Sequence, residues 1–483
     1  MAYHIESIDL FVRETPPNRM TFAIGKQKGA DAPPPKRRPR GILLVRLQLA
    51  DDRGRRTWGV AGDRPSFGWL DKRNAYDPEQ KLERLLTLVR QARDQYLAEP
   101  RFTSPFQKWL DGLEPIRQLG AAANHEGLSI AYASALFERA IIDAVCRLEG
   151  LSFFEAVRQD RLGFDAGGVF PELKAIRLQD HLPGRPRTRF AIRHTVGLAD
   201  PLTAADLPAS ERVNDGEPET LAEYVKRDGL KFFKVKISGD PDADLHRLGR
   251  IWDVIVDVED PVGTLDGNES YSDIDAFVRF VERFEEEQLG IFQHTSFIEQ
   301  PLTRALTHDP TTADAIAEIT RHKPVIIDEA DENLDSFPSA FGIGYSGTSH
   351  KNCKGVFKSL ISFVRCRQLE AQDRIVILSG EDLSNMPMVP LHQDFAALGV
   401  LDILDCERNG HHYSYGLSHL TDTEKRHVRT AHRDLYTQRD GELFLNIRDG
   451  MVQCESLQCR GFGVAFEPEW DALIPLDDWD IAW

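Results

Sequence analysis

The tightest constraint on the fold is a recurrence. Short β-like runs follow one another along the middle of the chain, and each ends in a polar residue that a strand interior would not choose. The first, Lys231-Phe-Phe-Lys234-Val-Lys236-Ile237, follows a helix-like segment, Thr220 to Arg227, and a turn signal at Asp228-Gly229. Val262 to Leu265 then ends at Asp266, inside Asp-Gly-Asn-Glu269, and Ile291 to Ile298 ends at Glu299, inside Glu-Gln-Pro-Leu302. Pro324 to Ile327 ends at Asp328-Glu329, and the run from Gly344 ends at Ser349-His-Lys351-Asn-Cys-Lys354. Helical stretches such as Asp242 to Val258 and Ser272 to Glu287 lie between them. The period starts at roughly thirty residues and shortens later, about what one βα unit requires. Polar residues at the C-terminal ends of successive parallel strands are what a (β/α)8 barrel gathers at its mouth. The expected fold is therefore α/β, with the barrel as its main body.

The residue types at those ends share one chemistry. Strand side chains alternate faces, so Lys234 and Lys236 point one way while Phe233, Val235 and Ile237 point the other. Two lysines on the inner face of an apolar strand are costly to desolvate unless something uses them; on an edge strand they would be an ordinary solvated pair. Asp266, Glu299 and Asp328 are hard oxygen donors on neighbouring strand ends. Singly, each reads equally well as the N-cap of the next helix. Together, without a cation, they would raise one another's pKa, and Mg²⁺ relieves that while leaving positions for substrate oxygens.

In this order, the K-x-K of Lys234 and Lys236, the DGN at Asp266, the FIEQPL from Phe297 to Leu302, the DE at Asp328 and the K-x-x-K-G from Lys351 resemble the enolase superfamily. The similarity is to its muconate-lactonizing branch, related to mandelate racemase, and it spans nearly the whole chain. The resemblance implies a modified barrel with an α+β cap built from both termini. It implies Asp266, Glu299 and Asp328 as Mg²⁺ ligands, Lys236 and Lys351 as acid/base groups across the substrate plane, and Lys234 beside them. It also implies a small-molecule carboxylate substrate and a homo-oligomer. The reaction class is abstraction of a proton α to a carboxylate through an enediolate, in which a Lys base working with Mg²⁺ is an established pattern. Two lysines on opposite faces permit racemisation or epimerisation; one lysine with the other in support permits cycloisomerisation or elimination. Lys354, three residues later, is an alternative to Lys351.

The mandelate-racemase branch and many acid-sugar dehydratases carry a His at the end of strand seven. Here the corresponding stretch reads Ser379-Gly-Glu-Asp-Leu-Ser-Asn385, which places acid-sugar dehydration second. A non-catalytic binding barrel is the reading from another class, opposed by the cost of unused buried charge. Around the ring, Asn268 and Glu269 are placed to order metal-bound water, and Glu329 to hydrogen-bond Lys234 or Lys236. Glu407 to Tyr413 follows strand eight. Its adjacent His411 and His412 read as a loop or substrate contact rather than as metal ligands.

The expected cap covers residues 1–165, the barrel 189–415, and a C-terminal segment, 416–483, completes the cap. Ile5 to Val12, Ile42 to Leu49 and Thr57 to Val60 read as antiparallel strands, with a hairpin turn at Asp51-Asp-Arg-Gly54. Between the first two strands, residues 13–41 carry Pro33-Pro-Pro35 and the basic run Lys36 to Arg40. The resemblance makes this a lid over the barrel mouth; on its own it reads equally as a solvated loop. Helices are expected over Asp77 to Glu99 and Ile130 to Glu149. The first barrel strand is placed at Phe190 to Val196, the seventh at Ile375 to Leu378 and the eighth at Leu401 to Cys406. Leu443 to Ile447 and Gly461 to Val464 read as later strands, and Phe337 to Gly344 as a poor helix.

A formal net charge of -18 argues against a nucleic-acid partner. Six cysteines, at positions 146, 353, 366, 406, 454 and 459, show neither a disulfide framework nor zinc spacing, as expected of a reduced cytoplasmic protein. The Met-Ala-Tyr-His start is unlike a secretory leader, and no apolar run is long enough to span a membrane.

Overall fold

The computed structural model describes residues 2–20 and 40–481. The antiparallel strands β1 (Tyr3–Glu14), β2 (Gly41–Asp51) and β3 (Arg56–Asp63) form the cap sheet, extended by β4 (Arg101–Phe102) against β1. Asp51 closes the β2–β3 turn, its Oδ1 accepting from the backbone N–H of Arg53 and Arg55 at 3.0 and 2.8 Å. The helices α1 (Phe67–Leu70), α2 (Pro78–Ala98), α3 (Pro105–Ala122) and α4 (Gly127–Glu149) cover this sheet. Asp77 starts α2 with a reciprocal capping box to Gln80. The 18-residue α3 lies in a stretch for which the sequence reading names no element. Of the expected lid, Arg13 and Glu14 belong to β1 and Gly41 to β2, and residues 21–39 lie outside the described residues.

Nearly every side chain of α4 from Tyr132 to Leu148 is buried, because α4 is sandwiched between the cap sheet and the barrel. Its contact with β3 is close enough that a Cβ at Gly59 would sit 2.2 Å from the Ala140 carbonyl oxygen and 2.7 Å from Ala144 Cβ. Gly59→Ala is expected to destabilise the protein by at least about 2 kcal/mol, read as a lower denaturation midpoint, because neither neighbour is a flexible tip.

Glu138 of α4 is buried, and one of its oxygens accepts from the Phe357 N–H. Burial pushes its carboxyl up to about 8, against the pull of that N–H and of Arg139. Its unfolded value is roughly 4.3. The native state therefore holds the proton more tightly than the unfolded chain, and this contribution to stability is lost as pH rises through that window. In Glu138→Gln the term is absent. Its stability relative to the wild type is expected to grow by a few kcal/mol between about pH 5 and 9, measured by urea unfolding.

Eight parallel strands close the barrel: β5 (Arg189–Val196), β6 (Phe232–Lys236), β7 (Val262–Asp266), β8 (Thr295–Glu299), β9 (Val325–Ile327), β10 (Gly347–His350), β11 (Ile377–Gly380) and β12 (Asp405–Arg408), with β12 hydrogen-bonded back to β5. Strand seven starts two residues later than the sequence reading places it, and strand eight four residues later. Leu401 ends the helix Val389–Leu401, whose side chains are all buried, so the run carries no amphipathic period to mark it as helical. Similarly, Leu289–Gln293 is helical before β8, Ser336–Ile343 is a helix, and Gly461 to Val464 holds only one isolated bridge, from Gly461 to Ser152.

After the barrel, β13 (Tyr436–Arg439) and β14 (Glu442–Leu445) form a hairpin, and β15 (Met451–Gln453) runs antiparallel to β5. Farther on, β16 (Ile474–Pro475) joins the cap sheet, pairing with Phe11 and Val12 of β1, and the Phe462 N–H donates to Asp143 of α4 at 2.6 Å. No helix among the described residues is long and apolar enough to cross a membrane, and all six cysteines are free.

Candidate active site

Strand register builds the site. Lys236 pairs with Asp266 across β6 and β7, and Asp266 pairs with Glu299 across β7 and β8, so three charged side chains stand abreast at one end of the barrel. Asp328 follows β9 directly and Lys351 follows β10. Lys234 lies two residues below Lys236 on the same inner face, fully buried.

The structure brings all six of these residues into one cluster. Lys236 Nζ donates to Asp266 Oδ2 at 2.5 Å, and Lys351 Nζ to Asp328 Oδ2 at 2.5 Å. Lys234 Nζ is 2.6 Å from Glu299 Oε2 and 3.0 Å from both Asp266 Oδ2 and Glu407 Oε2, and it also pairs with Glu381. Lys354 stands behind Asp328, donating to its Oδ1 at 3.1 Å and to Ser349 Oγ at 2.7 Å.

Electrostatics divide the carboxylates. Burial pushes Asp266 and Asp328 up, but the neighbouring lysines more than offset it and hold both below the usual range, Asp328 well below. Glu299 goes the other way: burial, then Asp266 and Glu381, push it well above, and Lys234 only partly opposes them. Burial pulls Lys234 and Lys351 down, yet the surrounding carboxylates leave both above the ordinary lysine value, Lys234 well above.

Both Glu299 oxygens are buried and make no directed hydrogen bond among the described residues, although Lys234 Nζ stands 2.6 Å from Oε2. Three buried carboxylates that share so few donors are a set suited to a hard divalent cation, which takes carboxylate oxygens and tolerates their mutual repulsion. The residues present thus fit Mg²⁺, which Asp266, Glu299 and Asp328 would hold.

Several groups at the mouth escape sequence reasoning. Glu381 follows β11 and Glu407 lies in β12, and both reach Lys234. Each is a charged residue at a strand end, the same signal that marks Asp266. Arg193 of β5 reaches across to Ser379 Oγ at 2.9 Å and to Glu381. The cap contributes as well. Lys351 Nζ lies 4.3 Å from the centroid of the Trp69 ring, and Lys72 Nζ donates to Glu329 Oε1 at 2.7 Å and to the Asn268 carbonyl at 2.8 Å.

These contacts correct the outer assignments. Glu329 bonds Lys72 and, at 3.0 Å, Asn268 Nδ2 rather than Lys234 or Lys236, because the cap lysine fills the space beside it. Glu269 is taken by Lys72 and Arg304. His411, just beyond the end of β12, packs against His194, Tyr224 and His412. The buried His350 is 3.4 Å from Asp394, but this pair faces away from the mouth, with His350 Nδ1 on Ser359 Oγ at 2.8 Å.

No family model and no curated protein matches the sequence. Solved structures do match in fold. A muconate cycloisomerase from Pseudomonas fluorescens superposes with a TM-score of 0.57 at 16% identity, over 98% of each chain. A mandelate racemase/muconate lactonizing enzyme from Roseovarius nubinhibens ISM gives 0.56 at 15% identity over 99% of each chain. An enolase from Pseudomonas fluorescens Pf0-1, with bound magnesium, potassium and tartrate, gives 0.55 at 13% identity, over 98% of this chain and 91% of that one. The chain shares the fold of these structures: an eight-stranded parallel barrel with a separate antiparallel capping domain.

Proposed function

We propose that the protein is a Mg²⁺-dependent enzyme that abstracts a proton α to the carboxylate of a small molecule, giving racemisation or epimerisation, cycloisomerisation or elimination. One observation carries this reading. Lys236 and Lys351 leave the second and sixth strands of an eight-stranded ring, on opposite sides of it, and each pairs with a different carboxylate of the Asp266, Glu299 and Asp328 cluster. Structural likeness to a muconate cycloisomerase and a mandelate racemase/muconate lactonizing enzyme supports the same class.

A divalent cation bound there would stabilise negative charge developing on the substrate carboxylate. The chain's own residues do the rest. Lys236 and Lys351 hold or receive the proton at Nζ from opposite faces. Lys234, buried among carboxylates, fixes Asp266, Glu299, Glu381 and Glu407 about one point. Trp69 covers Lys351 from the cap and limits water at that face.

Proton NMR in D₂O with Mg²⁺, over N-acyl amino acids, dipeptides, lactones and sugar acids, tests the reading. Exchange of a single α-proton supports it, with inversion marking a racemase or epimerase and loss of water a lyase. A Mg²⁺-loaded protein that exchanges no proton in any member would overturn the substrate class proposed. Failure to bind Mg²⁺ at all would remove the reading itself.

A further inference from the structure

The barrel seam gathers a second set of donors away from the mouth. Along β5, Arg193 and Thr195 point inward, to Glu381 and Glu407, so His194 between them faces outward through the barrel wall. Barrel closure sets Arg408 of β12 opposite His194, and the short helix Gly410–Tyr413 begins just beyond. His411 and His412 are thereby delivered to a residue more than two hundred positions earlier in the sequence. Ring centroids are 4.4 Å apart for His194 and His412, 5.4 Å for His194 and His411, and 5.0 Å for His411 and His412. One nitrogen from each ring lies within 4.8 Å of the other two.

Packing alone does not account for this trio. His194 is 3% exposed and His412 1%. Nonetheless His194 Nδ1 and both nitrogens of His411 and His412 have no hydrogen-bond partner among the described residues. Buried polar atoms are nearly always paired, and each left unpaired costs about 1–3 kcal/mol. A carboxylate stands behind the rings. Asp200 Oδ2 is 3.8 Å from His412 Nε2 and is fixed by Tyr413 OH at 2.7 Å and the Gly197 N–H at 2.8 Å, while its Oδ1 is also unpartnered. Metal-ligating histidines are commonly oriented by such a carboxylate. The nearby cations are already paired: Arg19 with Asp215, Arg227 with Glu217 and Asp228, Arg408 with Asp394, and Arg439 with Glu217.

We propose that His194, His411 and His412 form a site for a borderline divalent transition metal such as Zn²⁺ or Co²⁺, distinct from the carboxylate cluster at the barrel mouth. Three imidazoles with an open fourth position are a recurrent zinc arrangement, and imidazole disfavours Mg²⁺. Tetrahedral coordination at about 2.0–2.1 Å would draw the nitrogens closer than they stand here, and rotation of the rings supplies that movement. His411, less buried than the other two, lines a solvent-open cleft together with Arg227, Asn385 and Arg408, which would provide an entry path. The metal would fasten the outer wall of β5 to the chain leaving β1, since the Arg19 N–H donates to the Tyr413 carbonyl at 3.0 Å and its guanidinium to the His412 carbonyl at 3.3 Å.

The test uses the full chain, stripped of metal and then saturated with Mg²⁺ to fill the carboxylate cluster. Titration with Co²⁺ is expected to add one equivalent, with the intense visible absorption of nitrogen-ligated, low-coordinate cobalt, bleached by Zn²⁺ and accompanied by a higher Tm. His411→Gln is expected to weaken Zn²⁺ binding by about 100-fold or more with Mg²⁺ affinity unchanged. Equal Co²⁺ and Zn²⁺ binding in wild type and variant would overturn the site, as would no binding beyond the Mg²⁺-filled positions. If the variant fails to fold, pulsed EPR of Cu²⁺-loaded wild type decides: coupling to two or more imidazoles supports the site, and none rejects it.

Discussion

Lys351→Met is expected to reduce α-proton exchange on an active substrate by about 10³-fold, and Lys236→Met to do the same from the other face, since a positioned acid/base group contributes roughly 10²–10⁴. The effects should be sided. In a racemase or epimerase, each variant keeps exchange on the one stereoisomer whose α-proton faces the surviving lysine, and neither variant inverts. In an elimination or cycloisomerisation, one variant loses all exchange and the other only part of it. Lys354→Met is expected to cost far less, because Lys354 is engaged by Ser349, Asp328 and Asp331 and holds Asp328 in place. Deuterium incorporation followed by NMR on resolved stereoisomers measures all three. Equal residual exchange on both stereoisomers in Lys351→Met would remove Lys351 as the second acid/base group and turn attention to Lys354. Lys351 also sets a condition of its own. Its pairing with Asp328 keeps it above the ordinary lysine value, so it can accept a proton only when the charge of Asp328 is engaged elsewhere.

Glu299→Gln is expected to weaken Mg²⁺ binding by at least about 100-fold, or roughly 2.7 kcal/mol, while leaving the metal-free protein as stable as before. The asymmetry follows from its surroundings. Burial, then Asp266 and Glu381, push Glu299 well above the usual carboxylate range, so the amide replaces a group whose charged form the metal-free site already disfavours. Lys234 still has Asp266, Glu381 and Glu407 as partners. Calorimetric titration gives the affinity, and thermal unfolding with and without Mg²⁺ gives the rest. If the metal-free Tm of the variant fell by more than about 5 °C, Glu299 would be a structural partner of Lys234 rather than a ligand.

The inner ring was legible in the sequence for a simple reason. Charged residues closing apolar runs at a βα period leave few folds open, and Lys234, Lys236, Asp266, Glu299, Asp328 and Lys351 all meet in one cluster. What escaped depends on long-range geometry. Trp69 of the short α1 and Lys72 just after it reach the mouth from the cap with no local pattern to announce them. Lys72 also explains the misassigned Glu329, since a competing partner from another domain leaves no mark on local spacing. Strand eight was placed too early because Val389 to Leu401 is buried on every side and its apolar end, Phe395 to Leu401, reads as readily as strand as helix. The approach of His194 to His411 exists only because β12 closes on β5, so neither segment hints at it alone.

The cap sheet has a consequence for how the molecule is made. The outer edge of β1 is covered near its start by β4, but Phe11 and Val12 wait for Ile474 and Pro475, and Glu14 for the indole N–H of Trp479 at 3.2 Å. During synthesis, that end of the first strand stays open while more than four hundred residues emerge behind it. An unpaired strand edge is a template for mispairing. The same sheet and its helices present Trp69 and Lys72 to the barrel, so a nascent or shortened chain could close its barrel and still lack a firmly seated cap. A firmly seated cap in this architecture would then wait until the segment carrying Ile474 and Trp479 reaches β1.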